Sequence, residues 1–540
     1  MEMTVAEAVL RVVKEQGTDV IYGYPGAANT PVYDKINNAE LYCVLTRNEQ
    51  GAAHAASSYF KMTGKVGVCT ATSGPGATNL ITGIANAYMD STPLIAITGQ
   101  VPLCNIGKDA FQEVDTTGVT TPITKHNYLV KNAADAVSIM REAFYIAKTG
   151  RPGPVVVDIP LDIQKEIIEF IPCEKPEIRG YNPEPELNEK QIKKLAKMIR
   201  SAKRPFVVLG GGVLGAGASN EFAAFVEKIK IPVASTLMGI SGIASDHTQY
   251  LGMLGLHGTY SANNAFLNSD LIIFMGSRIS DRAVSDSEAT TRRAKIVHID
   301  IDPAEINKNI ICDLSIVADI KKLLIKLNEY VEFTCPDAWL NECIKAKGQN
   351  IKADDSQTKL VNPKLFLKKL SDKTTPETVV ATEVGQNQIW TANHYKFLKP
   401  NTFLTSGGFG TMGYGLPAAL GAKIARPELT VIAIEGDGSF QMAMPELAAM
   451  RQSGADLKIV IFKNRSLGMV HELQQLHFDS NFVSVDLGDY PHFDKIAEAY
   501  DIPYMQIGTN DEIENGINAL LKDGQAFILE VLVDEFESTL

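Results

Sequence analysis

Short apolar runs rich in Val and Ile recur along the chain, and segments with a helical spacing of apolar residues lie between them. The first group of runs, within residues 20–160, is VIYGYP, KVGVCTAT, PLIAITG and GPVVVDIP. These runs are apolar at nearly every position, as expected for parallel strands that helices cover on both faces. The pattern therefore predicts an α/β domain with a buried parallel sheet.

The same alternation returns twice further along the chain. The second group is RPFVVLGGGV, DLIIFMGS and AKIVHIDIDP, and the third is ETVVATEVG, LTVIAIEGDGS, LKIVIFKN and AFILEVLVD. Polar stretches at residues 173–191 and 345–363 separate the groups and are predicted to be linkers. We therefore predict an α/β fold of three doubly wound parallel-sheet domains, at residues 1–171, 190–335 and 360–540.

Length and charge narrow the class of protein. With 540 residues the chain is too long for one core, and its net charge of −12 disfavours general binding to nucleic acid or anionic membranes. The N-terminal residues do not have the pattern of a secretory signal, and no apolar run is long enough for a membrane span. The seven cysteines are scattered without a C-x-x-C pair, so we expect free thiols and a cytoplasmic protein.

An aspartate and an asparagine each follow an apolar run in the third group. Asp437 lies between Gly436 and Gly438, and Asn464 follows the next run. Both residues are expected at the same edge of a parallel sheet, where open α/β sheets bind their ligands. One anionic and one neutral oxygen suit Mg²⁺, which would bridge the protein to a diphosphate. An ordinary Asp-Gly turn and a loop Asn are the alternative, but the 25 residues between Gly438 and Asn464 favour the site.

A GDG sequence followed by Asn at this distance is similar to the thiamine-diphosphate motif of thiamine-dependent decarboxylases and carboligases. Segments along nearly the whole chain resemble the large catalytic subunits of acetolactate (acetohydroxyacid) synthases, among them YGYPGAANTPVYD, TSGPGATN, GMLGLHGTYSANNA and TSGGFGTMGYGLPAALGAK. The resemblance implies thiamine diphosphate and Mg²⁺ as cofactors, with the pyrimidine in the first domain and the diphosphate in the third. It also implies the Ser466 carbonyl as a third metal ligand and places Gly436, Gly438 and Ser439 beside the cofactor. The family motif often ends in two asparagines, and here Lys463 replaces the first.

A glutamate of the first domain is assigned by the same resemblance. A thiamine enzyme needs a carboxylic acid that engages the pyrimidine ring, so that the cofactor can lose its thiazolium C2 proton. Glu49, in LTRNEQGAA, has that place in the family, although Asn48 stands where the family usually has His. An acid that only favours a helix N-terminus is the alternative. In the family this Glu serves a cofactor held by a second subunit, which implies a homodimer at minimum and leaves a tetramer open.

The resemblance also implies residues that shape the active site. Gln112 and Lys125 would lie near its entrance, Met412 would support the bent form of thiamine, and Met469 would pack by the reaction centre. Simple filling of the core is the alternative for both methionines.

Two departures from the family bear on specificity. Ala27 stands where the family usually has a second Gly, and an added methyl group there would narrow the site. Leu473 stands where biosynthetic members usually carry a Trp that favours 2-ketobutyrate as acceptor. The second substrate is therefore less well defined than the first.

The central domain is assigned to a second cofactor. Its glycine-rich turn LGGGV offers Gly210 and Gly211 to a phosphate or ribose, which is weak evidence by itself. In the resembled family this domain binds FAD, and the other residues expected to approach it are Arg151, Arg278, Arg282, Asp300 and Asp319. A pocket that has lost the flavin is the alternative.

The activity implied by the resemblance is that of an acetolactate synthase, a thiamine-dependent transferase. It decarboxylates pyruvate and transfers the acetaldehyde unit to a second 2-keto acid, and pyruvate as acceptor gives 2-acetolactate for branched-chain amino-acid biosynthesis. The nearest alternative is another thiamine-dependent 2-keto acid decarboxylase or carboligase with a different acceptor. A non-catalytic homologue is disfavoured by the retained Glu49, Asp437 and Asn464. An NAD-type dehydrogenase, which the glycine-rich turn of the central domain would suggest, is disfavoured by the three-domain layout and by the expected absence of a clear G-x-G-x-x-G motif there. Family members often pair with a small regulatory subunit, which adds such a subunit to the candidate partners.

Overall fold

Three six-stranded sheets, parallel throughout, organise the chain into three α/β domains, as predicted. The computed structural model describes residues 1–171, 176, 178–284, 286–352 and 359–539. The two predicted linkers fall partly outside these ranges, and the exact domain boundaries stay predictions. The six cysteines in the described ranges are free thiols. No helix in these ranges is long and apolar enough to cross a membrane.

The first domain contains one six-stranded sheet and a short antiparallel pair. The sheet consists of β2 (Val20–Gly23), β3 (Tyr42–Leu45), β4 (Gly67–Ala71), β5 (Leu94–Gln100), β6 (His126–Leu129) and β7 (Pro154–Pro160), and the pair is β1 (Glu2–Thr4) with β8 (Ile167–Glu169). The sheet order is β3-β2-β4-β5-β7-β6. The helices are α1 (Val5–Glu15), α2 (Thr30–Lys35), α3 (Glu49–Thr63), α4 (Pro75–Asn79), α5 (Ile81–Met89), α6 (Thr116–Thr120), α7 (Ala136–Lys148) and α8 (Leu161–Lys165).

Local sequence explains where these elements begin and why they are buried. Every side chain of β5 is buried, as expected for a central parallel strand covered on both faces. Helix α1 begins after Thr4, whose hydroxyl accepts a hydrogen bond from the Glu7 N–H at 3.3 Å. Helix α3 begins after Asn48, whose side chain accepts from the Gln50 N–H at 2.8 Å. Such N-caps satisfy backbone donors that the first helical turn leaves unpaired.

The central domain has a different strand order. Its strands are β9 (Pro205–Leu209), β10 (Val233–Ser235), β11 (Tyr250–Met253), β12 (Leu271–Met275), β13 (Lys295–Asp300) and β14 (Leu314–Val317). Its helices are α9 (Glu189–Ser201), α10 (Gly211–Gly215), α11 (Ser219–Ile229), α12 (Tyr260–Asn268), α13 (Ser287–Arg293), α14 (Ile320–Tyr330) and α15 (Asp337–Ala346). The order β11-β10-β9-β12-β13-β14 is that of dinucleotide-binding sheets, which bind ligands where the order reverses, here between β9 and β12.

The third domain repeats the strand order of the first. Its strands are β15 (Val379–Thr382), β16 (Phe403–Leu404), β17 (Val431–Gly436), β18 (Lys458–Lys463), β19 (Tyr504–Ile507) and β20 (Phe527–Leu532), in the order β16-β15-β17-β18-β20-β19. Its helices are α16 (Pro363–Lys373), α17 (Gln386–His394), α18 (Gly415–Ala425), α19 (Asp437–Ala443), α20 (Glu446–Ser453), α21 (Gly468–His477), α22 (Phe493–Ala499) and α23 (Ile513–Leu520). Both outer domains therefore have their switch point beside the first strand.

The first and third domains of one chain pack directly against each other through α3 and α18. A side chain at Gly421 of α18 would overlap the Ala55 carbonyl and the Ser58 hydroxyl of α3, so only glycine permits this approach. One hydrophobic cluster runs without interruption from Tyr22 in the first sheet to Leu447 in α20. The two outer domains therefore share one core. The central domain has two clusters of its own, and its Ile240 and Met253 also join a cluster of the third domain.

Candidate active site

Three neighbouring strands of the third sheet bring polar side chains to one edge. Asp437 follows β17, Asn464 follows β18, and Gln386 follows the loop after β15. These strands are adjacent and parallel, in the order β15-β17-β18. Their carboxyl ends therefore open on one crevice beside the switch point of the sheet, which is where open α/β sheets bind ligands.

Asp437 is buried in this crevice and held by backbone donors. Its side chain is 4% exposed, one oxygen accepts from the Arg465 N–H at 2.8 Å, and the other accepts from the Gly438 N–H at 3.1 Å. Burial raises the pKa of Asp437 to about 7, against the opposing effect of these hydrogen bonds. A buried carboxylate of this kind is costly without a cation, so the site is suited to a bound metal ion.

Asn464 and Ser466 lie on either side of Arg465, whose N–H group binds Asp437, and they supply further oxygen atoms in this loop. The Asn464 side-chain oxygen accepts from the Ser466 N–H at 3.1 Å, and its NH₂ group donates to Gln386 at 3.1 Å. Ser466 pairs with Asp486 in an isolated antiparallel bridge, which holds the loop open in an extended form. Among the described residues, no group of three or more His, Cys, Asp or Glu side chains could hold a metal ion. A metal here would therefore use Asp437 together with neutral oxygens, a set that suits Mg²⁺.

Gln386 and Asn387 were missed by the sequence analysis. Both are buried, and the Asn387 side-chain oxygen has no hydrogen-bond partner within the described part of the chain. A Cβ atom at Gly436 would lie 3.2 Å from the Asn387 NH₂ group, so the glycine makes room for this side chain. The signal was available, because polar residues after the run ETVVATEVG must share the edge that carries Asp437.

Lys463, the departure from the family motif, is buried rather than solvated. Its ammonium lies 3.2 Å from Asp489 and 3.4 Å from Glu530, and Glu530 also accepts from the Tyr504 hydroxyl at 2.8 Å. These groups line a cavity of about 390 Å³. Lys463, the residue before Asn464, is therefore tied to β20 by its ion pair with Glu530.

Glu49 begins α3 at the carboxyl end of β3 in the first domain. It is 8% exposed, and the Asn79 NH₂ group donates to its carboxylate at 3.0 Å. A Cβ atom at Gly76 would lie 3.2 Å from the other carboxylate oxygen, so the glycine-rich turn leaves space at Glu49. In the described part of the chain, no hydrogen bond or ion pair joins Glu49 to Asp437 or Asn464. Within one chain the two halves of the predicted site are therefore not joined by a direct polar contact among the described residues.

Met412 lies in the loop between β16 and α18, at the contact between the outer domains. Its carbonyl accepts from the Gln50 side chain at 3.4 Å. The neighbouring Gly413 and Gly415 N–H groups donate to the fully buried Glu383 at 2.9 and 2.8 Å. Burial raises the pKa of Glu383 to about 7. The loop is therefore fixed on both sides of the methionine.

Met469 and Leu473 are four residues apart on α21 and share one face of that helix. Met469 is half-buried and Leu473 is 40% exposed, so the helix that follows Asn464 and Ser466 presents both side chains at least partly to the surface. This placement agrees with a role in the wall of a pocket that a second domain would close.

Three residues predicted near the substrate have different surroundings. Ala27 is exposed in a short turn after β2. Gln112 has a positive φ of 60°, and its backbone packs so closely on Gly74 that a Cβ atom there would lie 2.7 Å from its carbonyl oxygen. The Lys125 ammonium donates to the Thr149 carbonyl at 2.6 Å and also to the Ile146 carbonyl, at the end of α7. Burial lowers the pKa of Lys125 to about 8, and a substrate contact would require these bonds to open.

The glycine-rich turn of the central domain follows β9 and packs closely against the backbone that follows β12. Gly210, Gly212 and Gly215 have the G-x-G-x-x-G spacing, so the expectation that this turn lacks a clear motif of that kind is wrong. A side chain at Gly210 would overlap the Gly276 carbonyl after β12, so this glycine is required by the fold itself. Gly211 contacts another segment, since its Cβ atom would lie 3.1 Å from Met238.

The acids predicted for the central domain also lie at strand ends of its carboxyl edge. Asp300 ends β13, is buried, and accepts from the Asp302 N–H at 3.0 Å, and burial raises its pKa. Asp319 follows β14 and caps α14 by accepting from the Lys322 N–H at 2.9 Å. Both acids therefore have local structural roles at the edge where a ribose would bind.

The three arginines differ in their contacts. Arg151 reaches across from the first domain to Asp302 at 3.2 Å and Glu305 at 2.9 Å. Arg278 lies 3.8 Å from the Met89 sulfur, whereas the side chain of Arg282 is 75% exposed. Arg151 and Arg278 therefore join the central domain to the first, and Arg282 points away from the packed core.

Comparison with known proteins fits this architecture. Models for thiamine pyrophosphate enzymes match three times: the N-terminal TPP binding domain at residues 3–119, the central domain at 192–327 and the C-terminal TPP binding domain at 383–531. The three matches follow the three sheets in order and cover most of the chain. The fold and the site thus define a thiamine-diphosphate-dependent enzyme.

Similar proteins narrow this class. The probable acetolactate synthase large subunit of Methanocaldococcus jannaschii is 44% identical over 99% of this chain and 92% of its own length. The acetolactate synthase isozyme 2 large subunit of Escherichia coli is 41% identical over 99% and 96%, and the large subunit of Lactococcus lactis is 40% identical over 99% and 93%. The chain belongs to the family of acetolactate synthase large subunits.

Proposed function

We propose that this protein catalyses the acetolactate synthase reaction. Two pyruvate anions and one proton give one 2-acetolactate anion and CO₂, so the reaction is balanced without an oxidant. The proposal is carried by the meeting of Asp437, Asn464 and Gln386 at one edge of the third sheet, in a chain 40–44% identical to acetolactate synthase large subunits. Bound thiamine diphosphate would supply the carbon that attacks the keto group and would hold the electron pair released with CO₂.

Mg²⁺ is the metal that we propose for the third domain. Asp437 would supply one carboxylate oxygen, Asn464 its side-chain oxygen and Ser466 its carbonyl. The residues fit because Asp437 is a desolvated carboxylate whose two oxygens accept only backbone hydrogen bonds. Ser439 and the glycines on either side of Asp437 begin α19, beside the place that the diphosphate would take.

Glu49 is proposed to hold a proton for the pyrimidine ring of a cofactor bound by a partner subunit. Its carboxylate is buried and accepts a hydrogen bond from Asn79, and among the described residues no hydrogen bond or ion pair joins it to Asp437 of its own chain. A homodimer that brings each Glu49 to the other chain's Asp437 would complete two sites. Because the relatives are called large subunits, we also propose a small regulatory subunit as a partner. The free thiols of the described cysteines agree with the cytoplasm as the proposed compartment.

FAD is proposed for the carboxyl edge of the central sheet. The dinucleotide-type strand order, the acids after β13 and β14 and the arginines beside them offer acceptors for ribose and donors for phosphates. Since the reaction has no net redox change, FAD would be retained rather than consumed.

The purified chain tests this function directly. We would incubate it with pyruvate, thiamine diphosphate and Mg²⁺, with and without FAD, and measure acetolactate as acetoin after acid treatment. The expected result is acetolactate formation that requires thiamine diphosphate and Mg²⁺. Acetaldehyde without acetolactate would show a simple decarboxylase instead. Unchanged pyruvate under all conditions would contradict the proposed substrate.

The acceptor preference is expected to depend on Leu473. Leu473→Trp should raise the ratio of 2-aceto-2-hydroxybutyrate to acetolactate by about 10-fold when pyruvate and 2-ketobutyrate compete, because an indole adds apolar contact for the extra methylene. The ratio is measured by chromatography of the products. Gln475→Trp, an exposed position on the opposite face of the same helix, is the control and should leave the ratio unchanged. An unchanged ratio in Leu473→Trp would remove this residue from the acceptor pocket.

A further inference from the structure

A buried glutamate outside the predicted site contacts the loop that carries Glu49. Glu446, the first residue of α20, is 2% exposed. One of its carboxylate oxygens accepts from the N–H groups of Arg47 and Asn48, both at 2.9 Å. The other oxygen is buried without a hydrogen-bond partner among the described residues. In the described part of the chain, the Glu446 side chain therefore forms hydrogen bonds only to the backbone immediately before Glu49.

The sequence around Glu49 is adapted to this contact. A Cβ atom at Gly51 would lie 2.6 Å from the Glu446 oxygen that accepts both hydrogen bonds, so a glycine here lets the carboxylate reach the loop. The N–H groups next to a helix N-terminus need acceptors, and a carboxylate makes the stronger type of hydrogen bond to them. Burial raises the pKa of Glu446 to about 7, although the two N–H donors oppose this effect. The two hydrogen bonds thus offset part of the cost of burying the Glu446 carboxylate.

Glu446 lies shortly after Asp437 in the sequence, so its contact connects the two predicted sites. Helix α19 begins at Asp437, and α20, which begins at Glu446, follows it directly. In the proposed dimer, Asp437 holds the cofactor of its own chain and Glu49 serves the cofactor of the partner. Glu446 is therefore a link within one chain between the segment that follows Asp437 of one site and the segment that precedes Glu49 of the other.

We infer that Glu446 is a positioning residue for Glu49, which it holds by fixing the Arg47–Asn48 backbone against the diphosphate-binding domain. This inference rests on the proposed function, because it assigns Glu49 to the cofactor. A carboxylate that only stabilises the domain contact would affect folding and cofactor binding but would not single out the step that needs Glu49.

That step can be followed by exchange of the thiazolium C2 proton for deuterium in bound thiamine diphosphate, measured by NMR after acid quenching. The variants are Glu446→Ala, Glu446→Gln, Gly51→Ala and the double variant Glu446→Ala with Gly51→Ala. Gln452→Ala is the control, because it removes only the 2.9 Å bond from the Arg47 guanidinium to the same helix. The rise in Tm on adding Mg²⁺ and thiamine diphosphate reports cofactor binding.

Glu446→Ala and Gly51→Ala are each expected to slow the exchange by about 10- to 100-fold, since small displacements of a catalytic group have effects of this size. Glu446→Gln keeps an oxygen for both N–H groups and should exchange within about 3-fold of wild type, as Gln452→Ala should. The double variant should be no slower than Glu446→Ala, because the clash at Gly51 requires the glutamate. The rise in Tm should persist in all variants.

Wild-type exchange in Glu446→Ala would overturn the inference, and so would a parallel loss of exchange and of the Tm rise. Effects of the two single variants that simply multiply in the double variant would overturn it as well. These outcomes are distinct from failure of the proposed function, in which the wild-type protein itself shows no exchange of the C2 proton.

Discussion

Replacing Asp437 with alanine is expected to lower acetolactate formation by about 1000-fold or more, because a metal that neutralises and orients a diphosphate contributes several kcal/mol. Glu383 also follows a strand of the crevice, but its carboxylate already accepts from the Gly413 and Gly415 N–H groups, so it is not expected to replace Asp437 as a ligand. The variant should also lose the stabilisation by Mg²⁺ and thiamine diphosphate, which amounts to about 2.7 kcal/mol for the wild type at 100 times Kd.

The fold of the cofactor-free variant should change little. Burial raises the pKa of Asp437 to about 7, so its desolvated charge does not stabilise the protein near neutral pH. We would measure Tm with and without the cofactors, together with product formation. Asp523→Ala, an exposed aspartate of the same domain, is the control and should behave as wild type. A Tm rise on adding cofactors that survives in Asp437→Ala would place the metal elsewhere.

Glu49→Gln is expected to separate catalysis from binding. The glutamine keeps the hydrogen bond from Asn79 and the size of the side chain but has no acidic proton to share with the pyrimidine ring. Turnover should fall by about 100- to 10,000-fold, the usual range for losing an acid–base group. The cofactor-induced rise in Tm should remain, in contrast to Asp437→Ala.

Turnover of pyruvate and the Tm shift are measured on the same preparations for this comparison. Glu377→Gln changes an exposed glutamate just before β15 and is the matched control. If Glu49→Gln retained more than a tenth of wild-type turnover, the proton would have to come from another group. If it lost cofactor binding as well, Glu49 would be a binding residue rather than an acid.

The sequence was sufficient for the sheets and for the residues that follow their strands. Asp437 and Asn464 could be placed at one edge because each directly ends an apolar run, and parallel strands share their carboxyl edge. The same argument applied to Gln386 and Asn387, but Glu383 and Gly385 at that third strand end do not form a Gly-Asp-Gly triplet like the one around Asp437. Strand order in the sheets had to come from the structure, since the apolar runs are alike.

Contacts between distant segments were beyond the reach of sequence patterns. The ammonium of Lys125 is bound by carbonyls at the end of α7, and Arg151 is paired with acids of the central domain. Nothing in the local spacing around either residue indicates these partners. Glu446 is a further case, because its partners lie about 400 residues earlier in the chain, where they appear only as the backbone of a loop.

The close fit of α3 against α18 has a consequence for protein engineering. Because Gly421 lies directly on the α3 backbone and one core spans both outer domains, neither of them is an exchangeable module. A chimaera that takes its first domain from a relative would need the matching α18 from the same source. The central domain, which has two hydrophobic clusters of its own, is the more separable unit for grafting, with recombination points at its two flanks and the contact of Ile240 and Met253 with the third domain retained.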